Sequence, residues 1–448
     1  MDIGKLYDLY RQHPCITTDS RHCPPGSIFL ALKGETFNGN DYAAKALENG
    51  CAYAIVDEAD KAGGDNIILV DNCLQTYKDL ARMHRRQFDI PVLAITGTNG
   101  KTTTKELIAA VLGSQYNVLF TEANYNNDVG VPKTLFRLAP EHEIAVIEMG
   151  ASHPGDIKTL VETAEPTCGL ITNVGRAHLQ GFGSFEGVKR TKGELYDFLA
   201  DRQTLDPTEE GMPMGFVFIN DDDDDLRAMA DERELIFQFG YGTGDNEDIS
   251  VKGRLEKADP YVSFSWWFSD EDGDTEHNRV DTHLIGTYNI HNLLAAVAVG
   301  ICFDVDNDNI CRALADYVPS NNRSQLEQTA HNRLVVDAYN ANPTSMAAAI
   351  DNFCHISHPH KMLILGDMKE LGADSETEHQ RVADMVARCQ AEEVWLVGPE
   401  FAKTQCEYRK LPDTEAVAAA IGEHQPQGRL ILIKGSHSMR LDKLVELL

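Results

Sequence analysis

What the chain lacks narrows it before any motif is considered. No run of 18 apolar residues occurs in its 448 residues, and the opening MDIGKLYDLYRQH has no apolar stretch behind a basic start. Membrane insertion and a secretory leader are therefore not expected, and the chain reads as cytoplasmic. No C-x-x-C pair occurs, and the ten cysteines stand singly, which predicts reduced, mostly buried thiols rather than disulfides or zinc. Basic residues are scarce: 40 Lys and Arg against 70 Asp and Glu leave a net charge of −30. That balance excludes nucleic acid and anionic membranes as partners held by general electrostatics. It leaves small anionic substrates open, since these need only a local cluster of Lys, Arg and backbone N–H groups, with Mg²⁺ adding positive charge. The excess acid gathers in patches such as Asp221 to Asp225 and Asp270 to Asp274, which read as solvated loops.

The length exceeds what one core can serve, so two or three domains are expected. The stretch that organises them is PVLAITGTNGKTTT, from Pro91 to Thr104. Val92 to Ile95 is a short continuous apolar run, which suits a buried parallel strand. Gly97 and Gly100 break it, and Leu107, Ile108, Val111 and Leu112 then recur at helical spacing. Strand, glycine turn and helix together make a phosphate site, because glycines let backbone N–H groups close round an anion at the positive end of a helix dipole. Lys101 would supply a charge to the β/γ-phosphates and Thr102 a hydroxyl to Mg²⁺. The loop is two residues shorter than the common G-x-x-x-x-G-K-[ST] form, and a glycine turn without ligand is the plainer alternative. The flanking strand and helix favour the phosphate reading.

Residues 1–88 read as a small α/β unit, with Asp19, Ser20 and Arg21 in a polar turn that could hold a diphosphate or a base, or be a surface turn. From 89 to 317 strands and helices alternate, as in a doubly wound parallel sheet. Ligands gather beyond the carboxyl ends of such strands, and there the sequence places Asn127, Glu148 and His178. A histidine is an odd ligand for Mg²⁺, which prefers oxygen. Lys192, in RTKGELYDF, begins a further helix and taken alone reads as a surface lysine. Tyr261 to Phe268 reads as a strand whose Trp266 and Trp267 pack rather than bind. Asn289 suits a helix N-cap, and Asn292 sits one turn in, against propensity. From 318 to 448 a second α/β sheet follows, its strands ending in the loops DAYNANPTS, LGDMKELG, VGPE and KGSHSM.

Taken together, TGTNGKTTT, NNDVGVP, IEMGA, TNVGRAHLQGFGS, KGELYDF, GTYNIHN, DAYNANPTSM and LGDMKELG resemble the Mur ligases of bacterial peptidoglycan synthesis. The resemblance implies three α/β domains: a central P-loop-type parallel sheet, a small N-terminal domain for the UDP-linked substrate and a C-terminal Rossmann-like domain. It implies ATP-dependent joining of D-Ala-D-Ala to UDP-N-acetylmuramoyl-tripeptide through an acyl phosphate, by a monomer. It further implies that Gly97, Thr98, Asn99, Gly100, Lys101, Thr102 and Thr103 cradle ATP, and that Thr102, Glu148 and His178 hold Mg²⁺. Lys192 would react with CO₂ to give a carbamate that serves as a further ligand. Asn127, Asn292, Arg323 and Asp337 would contact the nucleotide. Asp19, Ser20 and Arg21 would bind the nucleotide-sugar, while Tyr339, Asn340 and Asn342 would border the dipeptide. Tyr288 and Asn322 depart from residues common among relatives, His and Gly.

Overall fold

The computed structural model describes residues 2–203, 214–244, 249–270, 273–275, 277–319 and 325–448. The described residues form three sheets. The first is parallel, in the order Ile16–Thr17, Ile28–Leu30, Tyr53–Val56 and Ile67–Leu69. Helices Ile3–Gln12 and Cys73–Arg85 pack on it through Leu6, Tyr10, Tyr77 and Leu80.

The central sheet carries the glycine loop. Strand Val92–Thr96 lies between Ile144–Glu148 and Cys168–Ile171, all parallel. Its apolar run is continuous because both faces are covered. Val92 and Ala94 pack with Ile157, Leu160, Leu195 and Leu199, whereas Leu93 and Ile95 pack with Leu107, Ile108, Leu293 and Val297. Each such side chain contributes roughly 1.5–3 kcal/mol by leaving water. The helices Lys101–Gly113 and Asn289–Cys302 therefore share one face of the sheet, with the loop at their common end.

Alternation of strand and helix does not persist to residue 317. Ile249–Ala258, Tyr261–Asp270 and Asn278–Ile285 pair antiparallel at the sheet's far side. The link between the first two spans only residues 259–260, too short for the crossover that a parallel pair needs. Trp266 is fully buried there, and Trp267 stacks on His277 with ring centroids 4.2 Å apart.

Two further expectations are corrected. The run Asp221 to Asp225 is not a plain solvated loop. The Asp222 carboxylate accepts from Thr243 N and Oγ1, both at 2.7 Å, and from Gly244 N at 3.0 Å, and it meets His291 Nε2 at 2.8 Å. Asp223 caps the helix Asp224–Asp231. Within the second patch, Glu271 and Asp272 lie outside the described residues. Cys354 and Cys389 are bridged, with Cα atoms 4.4 Å apart. The turn Ala387–Cys389 packs on the helix Pro343–His355, a proximity that a 35-residue separation does not reveal.

The third sheet runs Gln325–Gln328, Arg333–Asp337, Leu430–Lys434, Lys361–Gly366, Glu393–Val397 and Arg409–Leu411, parallel except at its first strand. Just before it, the Tyr317 hydroxyl donates to Glu106 Oε2 at 2.6 Å, which ties the chain to the helix that follows the glycine loop. Among the described residues no helix is long and apolar enough to cross a membrane.

Candidate active site

The glycine loop is held from outside itself. Thr98 N donates to Asn173 O at 2.9 Å, and Asn99 N donates to Asn173 Oδ1 at 3.1 Å. Thr172 Oγ1 and Asn173 Nδ2 both donate to Asn99 O, at 2.6 and 3.0 Å. Gly97, at φ 140°, lies so close to this strand end that a Cβ would sit 2.0 Å from Thr172 Oγ1. Gly100, at φ 80°, is the left-handed N-cap of Lys101–Gly113, and a Cβ there would come within 2.7 Å of Asn292 Oδ1. Both positions therefore require glycine. The Lys101 ammonium donates to Gly97 O at 2.8 Å and Thr98 O at 3.2 Å, so it already sits over the loop.

The loop opens into a cleft of ≈ 690 Å³ whose wall includes Thr98 to Thr103, Asn127, Glu148, His178 and Asn292. Glu148 is 1% exposed. Its Oε1 accepts from Thr102 Oγ1 at 3.2 Å and Asn126 Nδ2 at 2.8 Å, while Oε2 has no hydrogen-bond donor and lies 3.7 Å from the Lys105 ammonium. A buried carboxylate oxygen left without a donor beside a threonine hydroxyl suits a hard cation. No group of three or more His, Cys, Asp and Glu is gathered for a metal among the described residues.

His178 is held at φ 50°, and its Nδ1 contacts the Glu370 carboxylate from the third sheet's unit. Burial pushes its imidazole below the ordinary value, and Glu370 pulls the other way. Lys192 does not begin a helix but lies midway along Phe185–Ala200, and it is 2% exposed rather than a surface lysine. Its ammonium lies 5.8 Å from the Phe182 ring centroid. Burial and the Lys101 charge push its amine well below the ordinary lysine value.

The opposite wall comes from the third unit. Asp337, Tyr339, Asn340 and Lys434 line the same cleft. The buried Lys434 ammonium meets Asp337 Oδ2 at 2.6 Å and Asn340 O at 3.2 Å. A second cavity of ≈ 420 Å³ shares Thr102, His178, Tyr339 and Asn340 with the first and adds Lys369, Glu370, Ser436 and His437.

Comparison with known proteins fits this geometry. The Mur ligase middle domain matches residues 95–300, the Mur ligase glutamate ligase domain residues 322–437, and the Mur ligase family catalytic domain residues 14–86. The UDP-N-acetylmuramoyl-tripeptide--D-alanyl-D-alanine ligase of Bacillus subtilis (strain 168) is 31% identical over 446 residues, 96% of this chain and 92% of its own. The protein of that name from Escherichia coli (strain K12) is 32% identical over 455 residues, 97% and 93%. The chain belongs to the Mur ligase family. Among solved structures, MurF from Acinetobacter baumannii superposes with a TM-score of 0.84 at 29% identity, covering 96% of this chain and 93% of that one. The MurF ligase from Thermotoga maritima in complex with ADP gives 0.82 at 26% identity, covering 97% and 96%.

Against this Mur ligase framework, most of the expected residues converge and several are otherwise engaged. Asn127 reaches the cleft wall, yet its Oδ1 accepts from Val129 N and Gly130 N, at 3.2 and 2.8 Å, so it is neighbouring Asn126 that touches Glu148. Asn289 is the first residue of its helix rather than the cap, and its Nδ2 donates to Ile285 O at 2.8 Å. Asn292 accepts from Thr104 Oγ1 at 3.0 Å and donates to Asn289 Oδ1 at 2.7 Å. Asn342 is absent from the walls of both cavities and caps the helix Pro343–His355. Asp19, Ser20 and Arg21 are on neither wall: the Arg21 guanidinium grips Asp19 at 2.8 and 2.9 Å, holding that carboxyl down to about 2. Arg323 lies outside the described residues. Sequence reasoning missed Lys105, Asn126, Asn173, Glu370 and Lys434. Lys105 was within reach, because it follows Lys101 by four residues on one helix face.

Proposed function

We propose that this Mur ligase joins D-Ala-D-Ala to UDP-N-acetylmuramoyl-tripeptide at the expense of ATP, in the cytoplasm and as a monomer. The observation that carries the reading is that the glycine loop and the third unit's Tyr339, Asn340 and Lys434 face one another across a single cleft. A phosphate donor on one wall can thus meet an amine brought by the other. In this assignment residues 1–88 bind the UDP-substrate, 89–317 bind ATP, and 318–448 bind the dipeptide and complete the nucleotide contacts.

A carboxylate is a poor electrophile because its leaving group would be oxide. Its oxygen attacks the γ-phosphorus of ATP, ADP departs, and the resulting acyl phosphate carries a good leaving group. The dipeptide amine attacks the acyl carbon, loses a proton, and expels inorganic phosphate. The loop's N–H groups and Lys101 orient the triphosphate and offset its charge. Thr102 and Glu148 would hold Mg²⁺, with His178 and a Lys192 carbamate completing a second site; bound there, the ions neutralise charge on the transferred phosphoryl group. Burial pushes the Lys192 amine towards its neutral form, which is the form that adds CO₂. For Asp337, the Lys434 ammonium at 2.6 Å holds the carboxylate in place at the cleft wall. The second cavity offers Lys369 to the dipeptide's terminal carboxylate and lies beside Tyr339 and Asn340. Walls contributed by both units limit the access of water to the acyl phosphate.

Phosphate release measured with UDP-tripeptide, ATP and a panel of amines tests this. Release should depend on D-Ala-D-Ala and not on lysine, diaminopimelate or glutamate. Release driven equally by one of the single amino acids overturns the assignment.

A further inference from the structure

The third unit touches the phosphate loop itself through a pair of asparagine side chains. Asn342 Nδ2 donates to Asn99 Oδ1 at 2.8 Å, across 243 residues of sequence. Each partner is fixed by other bonds. The Asn99 backbone is clamped by Thr172 and Asn173, as described above, which leaves its side chain to reach outward. Asn342 is 6% exposed, and its Oδ1 accepts from Ser345 N at 2.8 Å while Ser345 Oγ takes the Asn342 N–H at 3.1 Å. The carboxamide orientation is therefore determined: only its oxygen can cap the helix, so its NH₂ must face the loop. Packing is close on the same seam, since a Cβ on Gly175 would lie 3.1 Å from Thr344 Oγ1 and 3.3 Å from Thr98 Cγ2.

We infer that Asn342 and Asn99 form the contact that seats the third unit on the phosphate loop, and that Asn342 is a positioning residue for amide synthesis rather than a dipeptide ligand. The inference rests on the ligase reading above. One carboxamide starts the helix that follows Tyr339 and Asn340 and also grips the turn that holds the triphosphate, so the acceptor wall takes its register from the donor wall. Without the bridge, ATP still meets the loop's N–H groups and Lys101, but the amine is no longer held over the acyl carbon and water competes for it.

The test uses the full-length protein with Asn342→Ser, which keeps a good N-cap but is too short to reach the loop, with Asn99→Ala, which touches no cap, and with the double variant. Expected results are a fall in kcat for amide formation of roughly tenfold for each single variant, as for one lost hydrogen bond. KM for ATP should stay within about twofold in Asn342→Ser, and more than one phosphate should be released per amide formed. The double variant should be no slower than the slower single, because both remove the same bond. Additive losses, or phosphate and amide remaining one to one in both singles, overturn the inference. X-ray scattering with Mg-ATP reads the bridge independently of chemistry: Asn99→Ala should be more extended than wild type, and identical profiles count against the seat. If wild type shows no dipeptide-dependent phosphate release, the ligase reading has failed, and the scattering comparison still decides the contact.

Discussion

Replacing Lys105 by Met removes a buried charge at nearly constant volume, and with it the contacts of that charge to Glu148, to Glu106 Oε1 at 3.9 Å and to Ala123 O at 3.5 Å. The Lys105 ammonium lies 3.7 Å from Glu148 Oε2, and both side chains are 1% exposed. At an effective dielectric constant of about 20, that separation corresponds to about 4 kcal/mol, and deleting one member of a buried pair generally costs about 3–5 kcal/mol. A loss of about 3–4 kcal/mol should lower the melting midpoint by roughly 10 °C for a unit of this size. The assay is thermal unfolding of Lys105→Met and wild type with and without Mg²⁺. The variant should melt lower than wild type, and it should gain more than wild type from Mg²⁺, which takes the place of the lost cation beside Glu148. Equal midpoints, or a deficit insensitive to Mg²⁺, would refute the reasoning.

Lys101→Ala should fold normally and lose at least about 100-fold in kcat, since a charge on the phosphates is removed from a site built for it; near-normal turnover in a folded variant would mean that the glycine loop is not the ATP site. Lys192→Met should raise stability at neutral pH in CO₂-free buffer, because burial disfavours the charged amine that the unfolded chain carries. The gain should shrink as pH rises towards 10.5, where the unfolded lysine also loses its proton, and a gain that stays constant or grows with pH in denaturant titrations would contradict the burial of an uncharged amine.

The strands around the loop were legible because a parallel strand buried on both faces writes itself as a continuous apolar run. Val92–Thr96, Ile144–Glu148 and Leu430–Lys434 all did so. The antiparallel strands were less so: in Ile249–Ala258 burial alternates only over the first residues, and a glycine, Gly253, stands where the core needs room for Leu294. Within the site, residues at strand ends could be read from position, as with Glu148. Loop residues could not. In NYNNDVGVP a loop has no period to say which asparagine faces inward, and the structure turns Asn126 to Glu148 while Asn127 serves the next helix. Glu370 meets His178, and Lys434 meets Asp337, across separations that only the assembled units bring together. The Cys354–Cys389 bridge was hidden for the same reason.

The bond from the Tyr317 hydroxyl to Glu106 has a mechanical meaning for any swing of the last unit. It ties the outgoing chain to the same helix whose first turn carries Lys101, so while that bond holds the fulcrum lies at or beyond residue 317. The lever that brings Tyr339 and Asn340 over the triphosphate is therefore short, and a short lever trades reach for accuracy. Cutting the tie with Tyr317→Phe would lengthen it.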